Sequence, residues 1–162
     1  MRTIACIPCL LGLAAAACSG PPVDLTHALQ VDIVSSGWYD AGIVNGQNKL
    51  VPATNVRLTN ASDRKLSVLQ LNALFRRVNS NEEWGSAFLT VAGSEGLAPG
   101  ATTGVLLLKS ANGYTGSGGD SRQQMLENSH FVDARVEIQA KYGSTQWVKI
   151  ADYPLPRQLI TK

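Results

Sequence analysis

The chain reads as an all-β protein: two antiparallel sheets packed face to face, with one short helix. Three observations predict this. Apolar and polar residues alternate with period two in several segments, most strictly over His130–Tyr142. Turn-forming clusters punctuate these segments at spacings suited to short strands. Helical signals are confined to Arg122–Asn128, with Ser121 as its N-cap.

Taken in order, residues 18–27 form a tether ahead of a domain spanning 28–162. Leu29–Ser35 alternates as a half-buried strand does, and Asn55–Thr59 repeats the pattern before the turn formers Asn60-Ala61-Ser62-Asp63. In the next strand Leu69, Leu71, Ala73 and Phe75 share one face. Asn79–Glu83 is a turn, and Trp84–Val91 a further strand. Leu97-Ala98-Pro99-Gly100 places Pro and Gly at the central positions of a type II turn. Thr103–Lys109 is expected to be a buried strand because of its run Val105-Leu106-Leu107-Leu108. In His130–Tyr142, Val132, Ala134, Val136, Ile138, Ala140 and Tyr142 lie on the core side, with Asp133, Arg135, Glu137, Gln139 and Lys141 opposite. Gly143-Ser144 turns the chain into Gln146–Tyr153, which Pro154 and Pro156 end. About seven strands so punctuated predict an immunoglobulin-like sandwich.

Composition narrows the function. Fourteen Lys and Arg less Arg2 leave thirteen against twelve Asp and Glu, and no basic run exceeds Arg76-Arg77. No nucleic acid partner is therefore expected. Cys6 and Cys9 lie within residues 1–17, so a chain cleaved there keeps Cys18 alone and has no intramolecular disulfide. His27 and His130 are far apart, and no Gly-x-Ser-x-Gly elbow, His-Glu-x-x-His or paired-Cys spacing occurs. Catalytic and metal-binding residues are accordingly expected to be none, with no cofactor.

Arg2, the apolar stretch 3–17 and the small residues before Cys18 have the layout of an export signal. Leu11-Gly12-Leu13-Ala14-Ala15-Ala16-Ala17-Cys18 resembles the lipobox of bacterial lipoproteins, with Ala15 where Leu is commoner. That resemblance implies a signal peptide over 1–17 and a diacylglycerol thioether on Cys18. It also implies cleavage before Cys18 and acylation of its new amino group. Ser19 rather than Asp after it implies the outer membrane, facing the periplasm. Ala15-Ala16-Ala17 also fits an ordinary export signal cleaved after Ala17.

Within 53–110, three segments resemble the FxLYD-type immunoglobulin-like domains of bacterial envelope proteins. They are Val56–Ser62, Val68–Phe75 and Leu97-Ala98-Pro99-Gly100. Arg76-Arg77 departs from that pattern, which has Tyr-Asp after the Phe. The resemblance implies a binding or structural role in the envelope.

Two functional readings follow: a non-enzymatic module that binds an envelope protein, or a binder of glycan or a small molecule. For the first, the glycine-dense loop 110–129 is the expected contact surface, with Tyr114 as anchor and Asp120 and Arg122 as polar contacts. Its helix start, with Arg122, is also a candidate anion holder. Gly113–Asp120 is expected to be replaceable by a Gly-Ser linker with little change in stability. For the second reading, Trp38-Tyr39, Trp84, Tyr114 and Trp147 are candidates for a stacking platform.

Overall fold

The computed structural model describes residues 21–160. Strand makes up 54% and helix 7%, so the all-β expectation holds. The strands are β1 (Leu29–Val44), β2 (Gln47–Asn60), β3 (Leu69–Arg77), β4 (Glu83–Ala92), β5 (Leu106–Lys109), β6 (Tyr114–Thr115), β7 (Ala134–Tyr142), β8 (Val148–Pro154) and β9 (Leu159–Ile160). The helices are α1 (Leu25–Ala28) and α2 (Arg122–Glu127). One sheet runs β5-β2-β1-β9, with β6 also paired to β2, and the other runs β4-β3-β7-β8.

This pairing is immunoglobulin-like. In that nomenclature β1, β2 and β5 stand as strands A, B and E, β3, β7 and β8 as C, F and G, and β4 flanks β3 as C′ does. The pairing of β9 with β1 is parallel, which makes the first sheet mixed rather than purely antiparallel.

The core is where the alternation puts it. Leu69, Leu71, Ala73 and Phe75 of β3 meet Ala134, Val136, Ile138 and Ala140 of β7, all fully buried. Leu50, Val56 and Leu58 of β2, with Leu108 of β5, close over them from the other sheet. Each inward residue is followed by an outward one because successive side chains of a strand point to opposite faces.

Several elements depart from expectation. The strand begun at Leu29 runs on to Val44 and reverses at Asn45-Gly46, whose φ angles of +51° and +77° suit a two-residue type I′ hairpin. Its alternation is broken by a register shift between Ile33 and Ser35 that leaves Val34 as an extra residue. Core residues accordingly switch from Leu29 and Val31 before it to Trp38 after it. The strand expected over 103–109 begins only at Leu106, and Val105 is exposed. Residues 102–103 are instead held to β2 by a Thr59–Thr102 bridge and by Thr103. The Thr103 N–H donates to the Leu58 carbonyl at 2.9 Å, and its hydroxyl accepts from the Leu58 N–H at 3.0 Å. The strand expected from His130 begins at Ala134, and Phe131 rather than Val132 turns inward. The type II turn stands: Gly100 has φ +73°, and Ala101 N–H donates to the Ala98 carbonyl at 3.1 Å.

The expected tether through His27 is also corrected from Val23 onward. Asp24 caps α1 through the Thr26 N–H at 3.0 Å, and α1 buries Leu25 and Ala28 against the sandwich. Val23 N–H donates to the Tyr142 hydroxyl at 2.6 Å.

The sandwich has two unlike ends. The N-terminal segment, the β2–β3 crossover (61–68), the β4–β5 connection and the β7–β8 turn share one, here termed the crossover end. The β1–β2 hairpin tip, the β3–β4 turn, residues 110–133 and the β8–β9 connection share the other, the loop end.

Candidate functional site

The loop end is organised around aromatic rings. Trp38 reaches it from the inner face of β1 and is fully buried. Phe131 packs edge-on against it at 4.4 Å between centroids, Trp84 at 6.0 Å, and Tyr114 reaches Phe131 at 4.9 Å. Such tilted and edge-on contacts suit the ring quadrupoles. The rings therefore contact one another, and the stacking platform expected from the sequence is not assembled. Tyr39 alternates to the outer face and lies under Lys109 Nζ at 4.7 Å. Trp147 lies on the other sheet, edge-on to Phe88 at 6.2 Å and under Lys141 Nζ at 5.0 Å.

Cations cover the cluster. The Arg77 guanidinium lies 5.2 Å from the centre of the Trp84 ring, and that of Arg157 5.3 Å from the Phe131 ring. Arg157 also grips Asp133 through two bonds, 2.6 and 2.9 Å, and reaches the Asn128 and Phe131 carbonyls at 3.3 Å. These donated bonds hold the Asp133 carboxyl below its usual range and raise Arg157. Two adjoining concavities open here. One of about 250 Å³ is lined by Arg77, Ser80, Glu82, Glu83 and Trp84. The other, about 330 Å³, shares Arg77 and Ser80 and continues to Phe131 and Asp133. Beyond Val78, which is exposed, lies a third of about 420 Å³ between Arg135, Asp152 and Tyr153.

Tyr114, Asp120 and Arg122 all sit at this end, where they take part in fixing the loop. Tyr114 is half-buried in β6, paired with Leu50 of β2. Asp120 accepts from the Ser117 N–H at 3.0 Å through its carboxylate and from Asn48 Nδ2 at 2.7 Å through its carbonyl. Arg122 pairs with Asp40 at 2.9 Å. Gly116 N–H donates to the Asn48 carbonyl at 3.0 Å, and Lys49 Nζ to that of Ala111 at 2.9 Å. Met125 and Leu126 of α2 are buried. The loop is thus a clasp along the β1–β2 hairpin, and its bonds argue against replacing Gly113–Asp120 by a linker with little change in stability. Against an anion-holding helix start, Ser121 and Gln124 form a capping box that uses the Ser121 and Gln124 amides, and Arg122 Nε is paired with Asp40.

Of the remaining sequence candidates, Cys18 lies outside the described residues. His130 is exposed beside Ser129, and His27 bonds Asp24 at 2.8 Å. Asp24 is held down to about 2 by the Thr26 hydroxyl, then by His27 and the Thr26 amide. Among the described residues no three His, Cys, Asp or Glu side chains stand close enough together to hold a metal ion. No helix among them is long and apolar enough to cross a membrane.

Sequence reasoning missed Phe131, Val78 and Arg157. Arg76-Arg77 is visible as a departure from the FxLYD-type pattern, but nothing in its spacing signals a guanidinium laid on Trp84. The hairpin tip was missed too: Ile43 is 69% exposed and Val44 also faces solvent, one step from Asn45-Gly46. No family model matches the chain, and no curated protein matches it.

Proposed function

We propose that this chain is a lipid-anchored protein of the bacterial envelope, and that its sandwich is a non-enzymatic module binding another envelope protein through the loop end. The observation that carries the reading is the β1–β2 hairpin tip. Ile43 and Val44 are apolar side chains left in solvent on a tip that the Arg122–Asp40 pair and the Asn48–Asp120 bond hold in place. A fixed apolar knob suits burial in a protein partner, since little ordering entropy remains to be lost on contact. The lipobox-like run before Cys18 supports the anchor, and two acylation sites supply enough buried methylene for stable attachment at ~0.8 kcal/mol per CH₂. A glycan platform is less well supported, because Trp38, Trp84 and Tyr114 are packed among themselves or under Arg77.

The test is a pull-down from detergent-solubilised membranes, made with the wild type, Ile43→Asp and Cys18→Ser. The expected result is one stoichiometric protein partner recovered by the wild type and by Cys18→Ser, and lost with Ile43→Asp. Cys18→Ser should leave the membrane fraction. Recovery of saccharide instead of protein would replace the binding reading, and a Cys18→Ser variant that stays with membranes would end the lipoprotein reading.

A further inference from the structure

We infer that the sandwich is held upright on the membrane, crossover end against the bilayer and loop end directed away from it, by the docking of residues 21–28. The inference rests on Cys18 being the lipid-bearing residue and deepens that reading by fixing which face a partner can reach.

The docked segment runs almost up to the anchor. Arg64 Nη1 donates to the Pro21 carbonyl at 2.5 Å, and Val23 N–H to the Tyr142 hydroxyl at 2.6 Å. Leu25 and Ala28 are buried, and Ala61 N–H bonds the Ala28 carbonyl at 2.8 Å. Pro21 and Pro22 carry rings that fix their own φ angles. Arg64 belongs to the β2–β3 crossover, and Tyr142 ends β7 opposite Leu69. Pro21 therefore sits at the crossover end. Three residue steps separate it from Cys18, a reach of at most about 11 Å.

That reach is short beside the domain. β3 runs from Leu69 at the crossover end to Arg77 at the loop end, a rise of about 26 Å over its length. A domain tethered at one end by so short a chain cannot invert, since inversion would lift Pro21 about 26 Å from the bilayer against a reach of about 11 Å. Charge does not supply the orientation. On the crossover end the exposed Arg64 and Lys65 are offset by the exposed Asp24, Asp63 and Glu95, so the tether has to impose it. The consequence is that Ile43, Val78 and the concavities beside Arg77 face the periplasmic space, whereas the Gly143-Ser144 turn faces lipid headgroups.

The experiment uses the full lipidated chain reconstituted in phosphatidylcholine vesicles carrying a headgroup nitroxide lipid. The Cys18 sulfur is blocked by its thioether, so a fluorophore attaches only to an introduced cysteine, Ser144→Cys at the crossover end or Glu82→Cys at the loop end. Quenching at Ser144→Cys is expected to exceed that at Glu82→Cys at least about threefold, given their separation of about 26 Å along the strands. Inserting ten Gly-Ser residues after Gly20 should remove most of the difference. Equal quenching at both positions overturns the orientation. A difference that survives the insertion overturns the tether as its cause. If the wild type does not float with vesicles at all, the anchoring reading itself fails, a result distinct from either.

Discussion

Gly113 and Gly118 lie five residues apart in the same loop, and an alanine at each should give opposite results. A Cβ on Gly113 would stand 2.1 Å from the Leu50 carbonyl oxygen and 2.8 Å from Val51 Cγ1. Moving it to 3.0 Å from that oxygen requires the loop and β2 to part by 0.9 Å. The obstacle is backbone on a central strand, and the next residue, Tyr114, is paired with Leu50. Overpacking of this kind costs ~1–3 kcal/mol, and each strand hydrogen bond given up to relieve it adds about 1. The sum is ~2–4 kcal/mol, a fall in Tm of roughly 5–15 °C for a domain of this size. A Cβ on Gly118 would meet nothing within 4 Å, and the backbone there is not left-handed. Its alanine should therefore be neutral or slightly stabilising, by up to ~1 kcal/mol through a less flexible unfolded chain. Thermal unfolding of the leaderless chain, followed by circular dichroism, reads both. A Gly113→Ala variant melting within about 1 °C of wild type would refute the clasp and restore the loop to a tolerated connector.

Three further outcomes are expected. Asn60→Ala should cost ~2–4 kcal/mol in urea unfolding, because it removes the buried amide's bonds to the Arg64 and Leu97 carbonyls at 2.8 and 2.9 Å and the Oδ1 that accepts from the Ser62 N–H at 3.0 Å. Ile138→Ala should cost ~2–5 kcal/mol as a cavity in the β3–β7 core, while Glu137→Ala should cost less than about 0.5; equal losses would contradict the register. Burial pushes the Tyr153 phenol above its usual 10.0, opposed in part by the Thr54 hydroxyl at 2.7 Å. With the folded value raised, this contribution is full below about pH 10 and is lost as pH rises through the folded value. Denaturation midpoints taken across that window should fall in the wild type and fall less in Tyr153→Phe.

How far the fold was legible depended on how regular each strand is. β3 and β7 keep strict alternation because they are central strands of one sheet, with a core face and an outer face along their whole length. β1 is hard to follow past Ser35 because one extra residue, Val34, swaps its faces, so period two no longer links Leu29 to Trp38. The Asn45-Gly46 reversal is a strong local signal for a hairpin, yet it is obscured by the irregular strand leading into it. β9 has no signal at all. Two residues after a pair of prolines become a strand only because Gly37, with φ +149°, lets the Gln158 carbonyl approach where a Cβ would stand 2.4 Å away. The bond from Trp38 N–H to that carbonyl, at 2.8 Å, then covers part of an edge that β1 would otherwise leave open.

The site is harder to read for a related reason. Tyr114, Asp120 and Arg122 stand out because a long glycine-dense loop carrying an aromatic, an acid and a base resembles a contact surface. The same residue types are what such a loop needs to fasten itself down, and sequence does not reveal that Asp40 and Asn48 wait on the hairpin to receive them. Fastening moves the argument about function instead of ending it. With the loop clasped along the hairpin, α2 and β6 brace one flank of the tip, and the side chains left over are Ile43 and Val44. Gly113→Ala therefore bears on binding as well as stability. If the clasp steadies the tip for a partner, lifting it should weaken partner recovery at temperatures where the domain is still folded, and Gly118→Ala should leave recovery intact. Loss of recovery in step with unfolding alone would mean that the clasp serves the fold and that the partner sees only the tip.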